Sequence, residues 1–526
     1  MERSQSCRYH QSMGGKGGVK YNRFFGKRGR GGRGSENSAA TREPRDDRDE
    51  FEIHDGSFKL EELKTLPEWE KRVVQPSCSV KRKYAVCFGY LGSRYQGLQI
   101  NADAETIEKM LEKALLLAGG ISEENFGNIH KISWSRTART DKGVHALSQC
   151  CAMKLNFPLG HEEEFRKAAN SFLPEDIQIH YIQKVAKTFN GKFCCSGRRY
   201  HYLLPTYLLS EEKAINKLMN EAQLLDKDGS SDGQAFLRDD QLQSIRDKHL
   251  KDYRAHPEAI EKLKIAASQY VGTHNYHNFT SAKEGGDASA IRYITKFEVT
   301  DPFIDNNDRL EWVCLVICGQ SFLLNQIRKM VTLAIEFARG KASLVSFERA
   351  FDPKLKVDIP MAPGLGLYLN QLFFQKYNYK IIAHEKIMQD AKLKREKKAM
   401  EKKQKEQTEE LSSSSLCSTD GDDDTMKRHE EVDEPNLAIK KQKNDAGEVI
   451  NTKNVDKDAI DENGEEHELV VHSPIEWASH TKVREDLEKF EMEVIQPHII
   501  VKEYNSLAFI GFMDYLRVKK CSYPLE

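Results

Sequence analysis

Hydrophobic and polar positions alternate and cycle clearly between about Val80 and Lys376. In KRKYAVCFGYLGSRYQGLQIN, Tyr84, Val86 and Phe88 share one face of a strand, and a glycine-rich turn follows. Thr106 to Ala118 has the helical period: Ile107, Met110, Leu111 and Ala114 form one stripe, and Gly119-Gly120 stops it. Trp134 to Gln149 (WSRTARTDKGVHALSQ) has neither period. It predicts a strand at roughly Lys131 to Ser135, a tight loop, and a second strand through Leu155. A helix is predicted at Glu162–Phe172, then an alternating strand ending near Val185. Another strand is predicted around Tyr200, where Tyr200, Tyr202 and Leu204 alternate with Arg199, His201 and Leu203. An amphipathic helix (Pro257–Val271), a loop and a strand lead to LEWVCLVICG, a strand from Leu310 to Gly319. Gly319 to Gly340 is a strongly apolar helix that carries Arg328 and Lys329, and Ala362 to Phe374 closes the region with a strand. Beyond a polar stretch, a last helix is predicted from about Ser506 to Val518.

Strands and helices follow one another in mixed order along the folded region. Six segments follow. Residues 1–77 are an Arg/Gly-rich tail expected to be disordered, and 78–208 a first folded half. Residues 209–252 are a polar insertion, and 253–380 a second half. Residues 381–475 are charged and expected to be mostly disordered, and 476–526 return a helix to the core.

Charge changes the picture where the average conceals it. The net charge is -1, yet residues 1–34 hold nine Lys/Arg and one acid, and residues 401–470 hold ten Lys/Arg against twenty-one acids. A neutral total therefore does not exclude a polyanionic substrate, because a local basic groove decides binding. The GKRGRGGRG stretch suits weak phosphate contact; a mitochondrial address is another reading of the same tail. KLKREKKAMEKKQK from Lys392 to Lys405 reads as a nuclear-localisation candidate. No apolar run approaches 18 residues, so no membrane span is expected. The eleven cysteines are odd in number and scattered, without a C-x-x-C pair, which suits a reduced setting. Cys314 and Cys318 fall on one strand face as small hydrophobes, and His274 and His277 lack an acid or thiolate at ligand spacing. No metal is expected.

The candidate chemistry lies in the non-periodic loop. Asp141 follows Arg136 and Arg139, and Gly143 provides a turn where a positive φ is needed. Neighbouring cations are expected to lower the aspartate's pKa and keep it ionised, as a nucleophile or base requires. Pairing with Arg139 at a plain turn is the alternative. Arg328 can point into the apolar surroundings of its helix, where a guanidinium needs an anion, or it can extend to solvent.

RTARTDKGVHA resembles the active-site motif of the TruA family of tRNA pseudouridine synthases. The G-S-x-Y-x-G-x-Q turn, R-R-Y-x-Y at Tyr200, the Q-I-R-K-M-V helix and A-P-G-L-G-L resemble further family motifs in the same order. The similarity runs from about Val80 to Lys376 and is greatest to the eukaryotic pseudouridine synthase 1 branch. It implies an α+β fold of two similar halves, each with an antiparallel sheet and helices, joined around a central RNA-binding cleft. It implies Asp141 as the catalytic residue, Arg328 as its partner and Tyr200 as an active-site tyrosine; Arg139 is a candidate to fill the space that an extruded base vacates, and Leu367, on one face with Leu369, either presses on the target base or is plain core. It further implies isomerisation of uridine without a cofactor and RNA as the partner, tRNA first and mRNA or snRNA as extensions. A monomer in the nucleus, with mitochondrion as a second location, completes the expectation. Lys192 stands where the bacterial pattern has arginine, which keeps the charge but loses the two-pronged fork. An N-glycosylase and a non-catalytic RNA-binding protein remain alternatives at this point, as do attack on the sugar and attack on the base.

Overall fold

The computed structural model describes residues 57–74, 81–101, 104–211, 213–214, 216–219, 237–305, 310–413, 475 and 481–518. Residues 1–56 of the Arg/Gly-rich tail, the centre of the polar insertion and most of the acidic stretch lie outside these residues, whereas the tail's end forms two short helices, Leu60–Lys64 and Pro67–Glu70, with Leu63 buried. Ten strands make one sheet: β1 (Arg82–Tyr90), β2 (Ser135–Arg136), β3 (His145–Leu155), β4 (Ile177–Lys184), β5 (Gly197–Pro205), β6 (Gly272–Asn275), β7 (Ile291–Val299), β8 (Phe303–Ile304), β9 (Glu311–Gly319) and β10 (Leu367–Phe373). The order is β4-β1-β3-β10-β5-β9-β7-β6, with β2 on β3 and β8 on β9. The mixed α+β class is thus observed, and the sheet is open.

The seam between the halves explains the cleft. The antiparallel set β4-β1-β3 and the antiparallel set β5-β9-β7-β6 meet only through β10. This strand pairs with β5 along its length, but with β3 only at Tyr368–His145 and Leu369–Ala146, and there it runs parallel. Both faces of β1 are buried, so it reads as an apolar run rather than a clean alternation.

Local chemistry sets the helix ends. Thr106 Oγ1 accepts from the Lys109 amide and starts the helix Ile107–Leu117. The apolar helix expected from Gly319 begins only at Gln326 and ends at Ala338. Asn325 adopts a left-handed conformation (φ 62°), and the Gln326 side chain accepts from the Leu323 amide at 2.8 Å. Both features turn residues 320–325 into a loop, which apolar periodicity alone does not show. The strand expected at Lys131–Ser135 is likewise shorter: 131–133 are turns, with Ser133 at φ 53°, and pairing begins at Ser135.

The C-terminal helices Thr481–Phe490, Gln496–Ser506 and Ala508–Val518 pack back on the sheet. Phe490 sits edge-on to His180, Phe509 to Tyr202, and Glu491 accepts from the Tyr368 hydroxyl at 2.7 Å. The polar insertion does not simply loop out. Its end forms the helix Asp239–Ile245 with Leu242 and Ile245 buried, and Arg246 then stacks on Tyr504. Across the boundary expected at residue 380, a single helix runs from Gln375 to Ser413. Among the described residues no helix is long and apolar enough to cross a membrane.

Candidate active site

The loop from Trp134 to Val144 is tied down at nearly every residue. Arg136 places its fork on Glu108 of the Ile107–Leu117 helix at 2.6 and 2.8 Å, and Trp134 Nε1 donates to the same carboxylate at 2.9 Å. The Thr137 amide donates to the Cys150 carbonyl, Gln149 holds the Ala138 carbonyl, and Thr140 Oγ1 meets the Tyr90 hydroxyl at 2.6 Å. The Val144 amide donates to the Asp141 carbonyl, which closes a turn with Gly143 at φ 78°. The glycine-rich turn after β1 presses from below: a side chain at Gly92 would meet the Val144 carbonyl oxygen at 2.1 Å. These ties fix the loop's backbone, with the side chains of Arg139 and Lys142 exposed and that of Asp141 half-buried.

His145, the histidine of the same motif, does not reach the cleft. It is fully buried, its Nδ1 accepts from the Gly92 amide at 3.1 Å, and burial pushes its pKa down to about 3. It is a neutral support under the loop.

Four distant segments enclose a cavity of about 860 Å³, within the range of small-molecule sites. Asp141, Arg139, Tyr200, Arg328 and Leu367, all five residues singled out from the sequence, line it. Lys192 and Arg198 add positive charge, and among the described lining residues Asp141 is the only acid. Arg139 is exposed at the mouth, whereas Asp141 is half-buried.

The electrostatics differ from expectation in two respects. Asp141 is not held below the carboxylate range. Burial raises its pKa, and Arg328 opposes that rise without cancelling it. Nor does Arg328 form a direct ion pair: among the described residues Asp141 has no cationic partner within 4.0 Å. Arg328 Nε instead donates to the Ala362 carbonyl at 2.6 Å, so its charge acts on Asp141 across the cavity. Tyr200 is buried against the edge of Phe322, with ring centroids 5.2 Å apart. Burial pushes its hydroxyl up to about 12, so at neutral pH it keeps its proton and presents a packing surface or a donor.

Three contributors escape sequence reasoning. Phe322 comes from the loop that apolar periodicity assigns to a helix. Phe193, 79% exposed, stands at the mouth beside Lys192, a flat surface on which a base can stack. Arg198 donates to the Thr137 carbonyl at 3.0 Å and so links β5 to the aspartate loop. Its signal is present in the chain, since residues 198 and 200 share a strand face. His277, considered for a metal, is instead held by Asn275 and the Leu355 carbonyl. Among the described residues no group of three His, Cys, Asp or Glu is placed to hold a metal ion.

With this geometry, comparison with known proteins is informative. A family model described as tRNA pseudouridine synthase matches residues 266–375, which include Arg328 and Leu367. The tRNA pseudouridine synthase 1 of Candida glabrata is 35% identical over 345 residues, covering 57% of this chain and 62% of its own. That of Saccharomyces cerevisiae is 34% identical, covering 57% and 63%, and the mouse pseudouridylate synthase 1 homolog is 36% identical, covering 57% and 62%. The chain is thus similar to tRNA pseudouridine synthases over these segments. It spans a little under two thirds of the length of these curated relatives.

Proposed function

We propose that this protein isomerises uridine to pseudouridine within tRNA, with Asp141 as the reacting carboxylate. The observation that carries the reading is one half-buried acid at the wall of a cation-lined cavity, flanked by Tyr200, Arg328 and Leu367. The reaction breaks the N1–C1′ bond, forms C5–C1′, releases the C5 proton and returns a proton to N1, so the composition of the RNA is unchanged. The base must leave the stack, at a cost of a few kcal/mol. Arg139, exposed at the mouth, is placed to fill the vacated space. Lys192 and Arg198 hold phosphates, Phe193 stacks on a neighbouring base, and Tyr200 and Leu367 pack on the extruded uracil. Among the described lining residues Asp141 is the one anion for attack at C1′, proton removal from the sugar or addition to the ring. The same reading extends to uridines in mRNA or snRNA, and to a nuclear or mitochondrial monomer.

tRNA carrying tritium at uridine C5 tests it. The protein is expected to release tritium to water with no change in RNA length or mass. Release of free uracil would replace the reading with an N-glycosylase, and no release with tight RNA binding would leave a binding protein.

The raised pKa of Asp141 sets a second expectation. As pH falls, the free protein protonates this carboxyl earlier than an ordinary aspartate, so single-turnover kcat/KM declines with an inflection above the ordinary value of about 4. An inflection at or below that value would show that the ionisation of Asp141 does not limit the rate.

A further inference from the structure

The helix Gln375–Ser413 leaves the sheet at the end of β10 and continues for 39 residues. Only its first turns are packed: Tyr377 and Asn378 are buried, and Tyr377 meets Phe189 edge-on at 4.8 Å. From residue 389 to residue 408 every position is exposed. Such a stretch has no apolar face to bury, so packing does not explain its residues.

Their charge is organised. Residues 376–405 hold eleven Lys/Arg and four acids. Lys376, Lys380, Lys394, Lys398, Lys402 and Lys405 recur on the helical period and are all exposed. At roughly 100° per residue they fall within an arc of about 80°, which His384 shares. The four acids, Glu385, Asp390, Glu396 and Glu401, lie outside that arc. The ion pair on the row, Lys402 to Glu406 at 3.6 Å, is exposed and worth little. Six of the eleven Lys/Arg thus form one row about 44 Å long, at ~1.5 Å per residue, with a gap between Lys380 and Lys394, and no acid lies on it.

Its root lies beside the cavity. The Gln375 amide donates to Ser196 Oγ at 3.1 Å, and Phe373 pairs with Gly197, next to Arg198. Lys192 and Phe193, which line the cavity, belong to the turn Gly191–Cys194 just before Ser196.

We propose that this lysine row is a second RNA-contacting element that binds the phosphate backbone of the substrate away from the target nucleotide. It rests on the reading of the protein as an RNA-modifying enzyme, and it adds affinity for long substrates without touching the chemistry. A row of ammonium groups suits phosphates and carries no base preference.

The test compares two variants of the full chain. One replaces Lys394, Lys398, Lys402 and Lys405 with glutamine. The other replaces Lys386, Lys392, Lys397 and Lys403, which removes the same charge from outside the arc. Glutamine is nearly as good a helix former, so the helix is retained. The row variant is expected to weaken tRNA binding at least ~10-fold and to make log K against log salt shallower by about 1 for each phosphate that is no longer neutralised. Its kcat at saturating tRNA and its KM for a short stem-loop stay unchanged. The off-row variant changes log Kd by less than half as much. Equal losses in the two variants, or an unchanged tRNA Kd in the row variant, would overturn the proposal. An unchanged Kd with lost nuclear accumulation would assign the row to a transport receptor instead. Row-dependent tRNA binding by a wild type that forms no pseudouridine would sink the enzymatic reading and keep this one.

Discussion

Asp141→Asn is expected to lower kcat by about four orders of magnitude or more while tRNA affinity stays within a few fold. The substitution keeps size and shape and removes only the charge and basicity that the reaction uses. Lys192, Arg198 and Arg139, which also line the cavity, are untouched. Stability separates this outcome from misfolding. Burial disfavours the ionised Asp141, and no direct ion pair offsets it, so a neutral amide there leaves the melting temperature unchanged or slightly raised. Single-turnover rates, filter binding and thermal unfolding on one preparation check all three. Turnover within tenfold of wild type would remove Asp141 from the mechanism.

Glu108→Ala should cause the largest loss of stability away from the cleft, about 3–5 kcal/mol in unfolding free energy. Glu108 is fully buried and accepts from Arg136 twice, from Trp134 Nε1 and from the Ile100 amide at 3.1 Å. Alanine leaves a guanidinium, an indole N–H and an amide without an acceptor, and an uncompensated buried charge is the expensive part. Because Arg136 and Trp134 begin the Asp141 loop, the variant should also lose kcat at temperatures where it is still folded. Urea unfolding measures the first effect and initial rates the second. A loss below about 1 kcal/mol would mean that water reaches Arg136 and replaces the carboxylate.

How much of this is legible depends on the range of the interaction involved. Thr106 as a cap, Gly119 after its helix and the Tyr84-Val86-Phe88 face are features of a few neighbouring residues, and they lie close to their expected limits. The helix beginning at Gln326 is shorter than its pattern implies because the preceding apolar residues face a cavity rather than a core, which composition does not distinguish. The importance of Glu108 is invisible for a similar reason. It reads as an ordinary polar position on a helix until Arg136 and Trp134, 28 and 26 residues away, arrive to fill its oxygens.

Local chemistry written in the chain was enough to determine most core strands, the tight loop around Asp141 and the motifs whose family resemblance implies the α+β class and singles out Tyr200, Arg328 and Leu367. Only tertiary structure decided that these residues line one cavity, since β10 joins the halves through just two pairings with β3. It also decided the direction in which the pKa of Asp141 moves. The pKa of a carboxyl depends on how much water the surrounding fold removes and how far away the cations are held, and neither quantity is a property of neighbouring residues in sequence.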